Sequence, residues 1–280
     1  MVLMNVKMRF LILLFASLAI GFNVAAQNKL KNTTKLKTMN SKENVMKIEV
    51  WSDVMCPFCY IGKRKFEHAL AKFPKKEKVK LVWKSYQLDP SITANDSKDY
   101  VKHLQQKKGW SDKQTKDILD NVTQMAAGVG LDYHFEKAVV ANSFKAHRFA
   151  HYAGKFGLQD TAEEALFIAH FIEGKDISDD ESLADMGQAI GLDRQDVLRF
   201  LATEEMTEAV KNDIAEAEQI GVTGVPFFVF DRKYAISGAQ DESVFLNTLE
   251  KSYKEWEKKQ AETKLEVIDG KVCKPGGECE

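Results

Sequence analysis

The sequence predicts an α/β fold in which two strand-containing segments flank a long helical segment. Three observations carry this prediction. Polar and apolar residues alternate over residues 47–51, as in a short strand. From about residue 97 to residue 220 almost every local signal is helical, and the apolar run at 227–230 is typical of a strand buried on both faces. The predicted order is therefore strand–helix–strand, helical insertion, strand–strand–helix.

Composition sets limits on the class of protein. The chain has 280 residues, of which 44 % are hydrophobic and 29 % are charged, which is enough for one large domain or two small ones. Its hydrophobicity excludes a disordered chain, and its four cysteines are too few for a disulfide-dense scaffold. The formal net charge of −1 gives no reason to expect nucleic acid or an anionic membrane surface as the main partner.

The N-terminus has the pattern of a secretory signal peptide. Lys7 and Arg9 precede an apolar run at 10–22, and small residues lead up to Ala26. The apolar run is too short for a membrane span, which needs about 20 residues. We expect cleavage of residues 1–26, a periplasmic or secreted protein, and no membrane anchoring afterwards.

A different translation start would change this localisation. Initiation at Met39 or Met46 would remove the signal and give a cytoplasmic protein. Residues 27–45 are polar and rich in lysine, so they are interpreted as a flexible linker without a core of its own.

The first strand-containing segment is predicted from residues 46–90. A strand at 47–51 is followed by Pro57, which favours the first turn of a helix. An apolar stripe every three to four residues continues that helix, and a second strand follows at 79–86. Such a crossover normally joins two parallel strands.

The helical insertion is predicted over residues 91–220, with six or seven helices. Glycines near the expected helix ends support this number. Capping-box patterns predict helix starts at three pairs of positions: Ser111 and Gln114, Thr161 and Glu164, Ser178 and Glu181.

The last segment is predicted as two strands and a helix over residues 221–258. The turn at Asp231 and Arg232 predicts an antiparallel pair, 227–230 with 233–237, followed by a helix from about 241. Residues 259–280 form a C-terminal tail that contains the pair Cys273 and Cys279.

Cys56 and Cys59 form a CPFC motif that opens a helix directly after a strand. The first cysteine would lie at the positive end of the helix dipole, which favours the thiolate, the form that attacks disulfides. The second lies less than one turn away and can resolve a mixed disulfide at the first. The pattern therefore indicates thiol–disulfide exchange, and the dithiol needs no cofactor to carry two electrons.

Other uses of these residues remain open at this point. The CPFC pair could be a structural disulfide, or both cysteine pairs could bind zinc, which would need four convergent thiolates. His147 and His151 have the spacing of metal ligands on a helix, but no third ligand is nearby, so no metal site is predicted. Asp53 is interpreted either as a proton relay for the thiols or as a residue that accepts backbone hydrogen bonds.

Pro226 stands at the entrance of an apolar strand, where it cannot donate a ladder hydrogen bond. A cis bond from Val225 to Pro226 would explain this position. From the residues alone, a trans proline at a strand start is the safer expectation, because cis is the minority state of X–Pro bonds.

These motifs together resemble the DsbA-like family of the thioredoxin superfamily, and within it the FrnE-like proteins, over residues 46–256. The matching segments are SDVMCPFC at 52–59, QLDP at 87–90, NS at 142–143, AHR at 146–148, GVTGVPFF at 221–228 and SGAQ at 237–240.

The resemblance implies a thioredoxin fold interrupted by a helical domain, with Pro226 in cis opposite the CPFC motif. It implies that Val225 presents its backbone to substrate chains. Protein thiols and disulfides are the expected substrates, with a redox protein or glutathione as partner. We expect Pro57, Phe58 and Tyr60 to form an apolar surface around the exposed Cys56 sulfur.

Four further expectations complete this interpretation. His147 is predicted to lie between the helical domain and the CPFC motif, near the substrate. The tail pair, Cys273 and Cys279, is either a local disulfide or a second redox pair. The first alternative function is a glutathione-dependent isomerase of the chromene-carboxylate type, whose members carry Ser at the position of Cys56. The second is a non-catalytic, chaperone-like binding module.

Overall fold

The computed structural model describes residues 44–262, except 94, 95 and 97. The predicted signal peptide, nearly all of the linker and the tail cysteines Cys273 and Cys279 lie outside the described residues. The resolved elements follow the predicted order from the first strand to the last helix.

A four-stranded mixed sheet forms the centre of the fold. Its strands are β1 (Met46–Ser52), β2 (Val79–Ser85), β3 (Phe227–Phe230) and β4 (Tyr234–Ser237), arranged in the order β2-β1-β3-β4. β1 pairs with β2 in parallel and with β3 in antiparallel orientation. The strand β1 is buried on both faces, since only one of its seven residues is exposed. The predicted α/β class and strand pairing are confirmed.

Nine helices surround the sheet in the described part of the chain. They are α1 (Pro57–Lys72), α2 (Tyr100–Lys108), α3 (Asp112–Ala127), α4 (Phe144–Gly154), α5 (Gln159–Ile168), α6 (Asp180–Ala189), α7 (Arg194–Leu201), α8 (Thr207–Gln219) and α9 (Glu242–Glu262). Seven of them fall within the predicted insertion. None of the described helices combines the length and apolar character needed to cross a membrane.

Aromatic side chains join the helices to the sheet in one core. Phe66 of α1 packs on Phe228 of β3 and Phe245 of α9, with ring centroids 5.5 and 5.9 Å apart. On the other side of the core, Trp83 of β2 lies 6.3 Å from Phe167 of α5. The sheet and the helical insertion therefore share buried apolar contacts that hold α1, the helix behind the CPFC motif, from both sides.

One of the three predicted capping boxes is confirmed, at Ser111 and Gln114. The other two helix starts were wrong. Helix α5 begins at Gln159, two residues before Thr161. The cap of α6 is Asp179, whose carboxylate accepts from the backbone N–H of Ser182 at 2.8 Å. An ionised carboxylate is the stronger acceptor for the free N–H groups of a helix start, so it takes the place expected for Ser178.

Candidate active site

Cys56 and Cys59 are both free thiols at the start of α1. Cys56 is the N-cap residue and Pro57 occupies the first turn, as the motif predicted. The backbone N–H of Cys59 donates to the carbonyl of Cys56 at 3.0 Å. The expectation of an exposed Cys56 sulfur is wrong, because the residue is only 4 % exposed and Cys59 only 1 %.

The loop before β3 faces the thiols. The Cys56 thiol donates to the carbonyl oxygen of Val225 at 3.5 Å. The Val225–Pro226 peptide bond is cis, as the family resemblance implied. Pro226 also lies close to α1: a Cβ added at Gly62 would be 2.9 Å from its Cγ. This close approach places the backbone of Val225 directly beside Cys56.

The two thiols have different electrostatic environments. Burial raises the pKa of Cys59 well above its ordinary value, and the hydrogen bond and charge of Cys56 raise it further. A contact with the Ser52 hydroxyl lowers the pKa of Cys59, but it does not offset burial. Cys59 is therefore a protonated thiol at neutral pH, which suits a resolving cysteine, and Cys56 is left as the attacking group.

A groove of about 380 Å³ opens at Cys56. The CPFC loop and the loop of Val225 form one wall, and α2 and α3 of the insertion form the other. The apolar lining residues are Met55, Pro57, Phe58, Leu88, Ile92, Tyr100, Leu104, Trp110, Ile118, Leu119, Val122, Ala141 and Val225. Such a surface accepts an extended apolar segment better than a compact charged molecule.

Some of the residues around the CPFC motif line the groove, and others are buried in the core. Phe58 is 38 % exposed and lines the groove together with Pro57, as expected. The expectation for Tyr60 was wrong, because its ring is buried against Phe167 at 4.9 Å between centroids. Its hydroxyl donates to Glu164 at 2.5 Å, so it fixes α1 to α5 and does not reach a substrate.

Asp53 connects the CPFC loop to the groove wall. Its carboxylate accepts from the backbone N–H of Met55 at 3.1 Å and from that of Leu88 at 2.7 Å. Its own carbonyl accepts from the N–H of Cys56 at 2.9 Å. Of the two interpretations of Asp53, the structure therefore displays the backbone hydrogen bonding.

His147 is the partner of Asp53. Its Nε2 lies 2.9 Å from the carbonyl oxygen of Tyr86 and 3.7 Å from the Asp53 carboxylate. The residue is 1 % exposed, so its predicted contact with substrate is wrong, whereas its position between the helical segment and the CPFC loop is as expected. Burial opposes both charges, yet the pairing lowers the pKa of Asp53 and raises that of His147.

Sequence reasoning missed three buried polar residues of the core. The hydroxyl of Tyr133 donates to the carbonyl of Pro57 at 2.8 Å. Glu163 is 3 % exposed, and burial raises its pKa to about 7. Ser52 ends β1 and is 1 % exposed, and its hydroxyl lowers the pKa of Cys59. No local pattern identifies these residues, because each is placed by contacts that are distant in sequence.

No group of His, Cys, Asp or Glu side chains within the described residues could hold a metal ion. The pair His147 and His151 lies on α4 as expected, but each ring has a protein partner. His151 Nε2 lies 2.9 Å from the Asp213 carboxylate.

A family model described as the DSBA-like thioredoxin domain matches residues 47–250. In sequence, the chain is 27 % identical over 207 residues to the uncharacterized protein YwbO of Bacillus subtilis, covering 71 % of this chain and 92 % of that protein.

Two solved structures are also similar to the chain. A probable DsbA oxidoreductase from Streptomyces coelicolor is 37 % identical, with a TM-score of 0.73, over 84 % of this chain and 98 % of that one. A 2-hydroxychromene-2-carboxylate isomerase is 19 % identical, with a TM-score of 0.52, over 79 % of this chain and 100 % of that one. At that identity the second likeness shows the fold alone.

Proposed function

The chain belongs to the DSBA-like thioredoxin domain family, and on that premise we propose that it exchanges disulfides with protein substrates through Cys56 and Cys59. The observation that carries this proposal is the Cys56 thiol at the start of α1, hydrogen-bonded to Val225 and open to an apolar groove. Nucleophile, resolving thiol and substrate surface meet at one point.

The exchange runs in two balanced steps. The Cys56 thiolate attacks one sulfur of a substrate disulfide, so a Cys56–substrate bond forms and the other substrate sulfur leaves as a thiolate. Cys59 then loses its proton and attacks the Cys56 sulfur. A bond between Cys56 and Cys59 forms, the second substrate thiolate leaves and takes up a proton, and two electrons have passed to the substrate. The reverse sequence donates a disulfide.

The groove supports an unfolded or extended segment as the substrate. Phe58 and Leu88 are 38 % and 50 % exposed beside Cys56, so an apolar side chain next to a substrate cysteine gains contact area there. The backbone of Val225 lies where an added strand would pair, which positions the substrate sulfur against Cys56.

The sequence supports an extracytoplasmic location. The pattern of residues 1–26 is that of a signal peptide, and an oxidising compartment allows Cys56 and Cys59 to persist as a disulfide. A redox protein or glutathione then resets the pair. Mass spectrometry of the secreted protein should find a new N-terminus at Gln27; a retained Met1, or a start at Met39 or Met46, would contradict this location.

Reduction of insulin by dithiothreitol tests the proposed function. We expect catalytic amounts of the protein to speed the precipitation of the insulin B chain, and the Cys56→Ala variant to lose this effect. Equal inactivity of both proteins would indicate a non-catalytic binding module. Chromene-carboxylate isomerisation that survives Cys59→Ser would indicate the isomerase alternative, because only disulfide exchange requires the second thiol.

A further inference from the structure

Two hydroxyl groups of the groove have no role in the proposed exchange. They belong to Tyr100 and Ser143, which both line the groove that opens at Cys56. The two residues are only 5 % and 3 % exposed, and within the part of the chain that the structure describes neither hydroxyl has a hydrogen-bond partner. Neither oxygen is sealed inside the core. Because buried polar groups are normally hydrogen-bonded, this pair of unpaired hydroxyls beside a nucleophile points to a ligand.

Tyr100 is held in place by its ring. The ring stacks on Phe135 with centroids 5.6 Å apart and lies edge-on to His170 at 5.7 Å. Burial raises the pKa of Tyr100, and the charges of Cys56 and Asp53 raise it further, so the hydroxyl stays protonated and can donate. The phenol therefore offers a hydrogen bond at a fixed position of the groove.

Ser143 does not cap the helix that it precedes. It is the N-cap residue of α4, where a serine hydroxyl usually accepts from a backbone N–H of the first turn, but its side chain makes no such bond. The side-chain oxygen of Asn142 accepts from the N–H of Phe144 at 3.0 Å instead. The hydroxyl of Ser143 is thus available to a ligand.

The two hydroxyls belong to the same wall of the groove. Residues 98–99 and 139–140 are joined by an antiparallel bridge and by a backbone hydrogen bond of 3.2 Å. These contacts hold the start of α2, which carries Tyr100, beside the segment that leads to Ser143. The loop of Val225 forms part of the opposite wall, so a substrate in the groove lies between them.

An extended polypeptide segment needs polar partners on both walls. It has main-chain donors and acceptors along both edges, and one edge can pair with the backbone of Val225. The other edge lies against the apolar wall, where an unpaired carbonyl oxygen or N–H is costly because it has lost its water. Tyr100 and Ser143 place hydroxyl groups on that side.

We propose that Tyr100 and Ser143 bind the main chain of an extended protein substrate, on the side of the groove opposite Val225, and hold the substrate cysteine against Cys56. This inference rests on the proposed function and names its substrate class, which is polypeptide segments recognised through their backbone. Hydroxyl groups bind main-chain amides whatever side chains are attached, so substrates of many sequences fit. A small disulfide without amide groups gains nothing from the two hydroxyls.

The rate of attachment to Cys56 tests this proposal. All proteins carry Cys59→Ser, so the reaction stops at the mixed disulfide, which is quenched with acid and measured by mass spectrometry. One substrate is the disulfide-linked dimer of a short apolar peptide with a central cysteine and blocked ends, and the other is hydroxyethyl disulfide. We expect Tyr100→Phe and Ser143→Ala each to slow attachment of the peptide by about 2–10-fold. Attachment from hydroxyethyl disulfide should keep the rate of the Cys59→Ser parent.

Tyr152→Phe and Ser252→Ala are the matched controls, since neither residue lines the groove. Tyr152 is 7 % exposed and stacks on Phe200 with centroids 4.2 Å apart. Ser252, on α9, is 1 % exposed and its hydroxyl is unpartnered among the described residues. Both variants should keep the parent rate with both disulfides.

Ester substitution in the peptide tests whether the bond is made to the main chain. Replacing one amide beside the cysteine by an ester removes an N–H and weakens the carbonyl oxygen as an acceptor. At one or more positions the ester should slow attachment to the parent protein. It should cause no further loss in the double variant Tyr100→Phe/Ser143→Ala, because the same hydrogen bond has already been removed.

Three results would overturn the proposal. One is the parent rate with the peptide in both single variants. Another is an equal slowing with hydroxyethyl disulfide, which indicates a defect at Cys56 itself. The third is a loss with oxidised glutathione but not with the peptide, which would assign the hydroxyls to that tripeptide. A parent protein that reacts with hydroxyethyl disulfide but with no peptide or protein disulfide would instead refute the proposed function, and backbone recognition with it.

Discussion

The Cys56 thiol and the Val225 carbonyl oxygen lie 3.5 Å apart although 169 positions separate them in sequence. The contact joins the start of α1 to the loop before β3, and the helical insertion lies between these two segments of the chain. Gly62 makes the approach possible, because on the neighbouring turn of α1 it leaves room for Pro226.

Gly62→Ala should therefore impair the site more than the fold. The added Cβ would lie 2.9 Å from Pro226, so the loop must move away from Cys56. We expect a loss of 1–3 kcal/mol in the free energy of unfolding, on the order of other overpacked sites. The reaction of Cys56 with oxidised glutathione, which forms a Cys56–glutathione disulfide, should slow by ~10-fold, because Cys56 and the Val225 loop are then misplaced relative to each other.

Gly154→Ala serves as the control for this prediction. A Cβ at Gly154, at the end of α4, meets Gln159 at an ordinary 3.5 Å. Its adduct formation should match that of wild type. If Gly62→Ala matched wild type too, the close packing of α1 on Pro226 would have no role in reactivity.

The buried pair of Asp53 and His147 predicts a window of pH in which it stabilises the fold. Asp53 has a lowered pKa, so its contribution is present above 3.8 and is lost as the pH falls through the folded value. His147 has a raised pKa, so its contribution is full below 6.5 and is lost as the pH rises through the folded value. The pair therefore stabilises most between these limits.

His147→Gln tests this window. The amide can still donate to the Tyr86 carbonyl, but it leaves the Asp53 carboxylate buried without its charged partner. Urea unfolding should show a loss of about 3 kcal/mol at pH 5–6, which shrinks towards pH 9. His68→Gln, at a side chain that is 46 % exposed, should change little. A pH-independent deficit for His147→Gln would contradict the charge pairing.

Glu163 predicts the opposite dependence on pH. Burial raises its pKa from 4.5 to about 7, so the fold favours the neutral acid and loses stability as the pH rises between these values. Glu163→Gln removes this penalty and should raise the free energy of unfolding at pH 8 by up to about 3 kcal/mol. At pH 4 the variant and the wild type should be equal. A variant that is less stable at pH 8 would show that the ionised carboxylate is needed there.

The tail cysteines carry a separate prediction from the sequence. The sequence Pro275-Gly276-Gly277 between Cys273 and Cys279 is typical of a turn, which would favour a local disulfide of small entropic effect. The double variant Cys273→Ser/Cys279→Ser should then show unchanged kinetics of Cys56–Cys59 reduction by dithiothreitol. Slower reduction in the variant would instead support the second redox pair.

Local signals predicted the elements that local chemistry determines. Pro57 after Cys56 marked the start of α1, and the turn at Asp231 and Arg232 adopts the positive φ angles of 46° and 54° that suit a tight antiparallel hairpin. Ser111 with Gln114 forms the capping box that its pattern predicted. In each case the deciding contacts lie within four residues.

The features that the sequence did not predict depend on contacts between residues that are distant in sequence. Tyr60 directly follows the motif and was predicted to lie on the surface. It is buried instead, because its hydroxyl donates to Glu164 and its ring packs on Phe167, both over 100 positions away in sequence. His147 is buried by its partner Asp53, and Ser52 gains its neighbour Ser85 only through the strand register. The groove is likewise assembled from five separate segments of the chain, so its volume and its wall from the helical insertion had no sequence signal.

The most direct test of the account is to trap the enzyme–substrate disulfide. Cys59→Ser should accumulate a mixed disulfide with a protein substrate that contains scrambled disulfides, visible on non-reducing gels and mapped to Cys56 by mass spectrometry. Cys56→Ser should accumulate none, because Cys59 is buried and protonated. A mixed disulfide on Cys59 in the Cys56→Ser protein, or none in either variant, would contradict the assignment of Cys56 as the nucleophile.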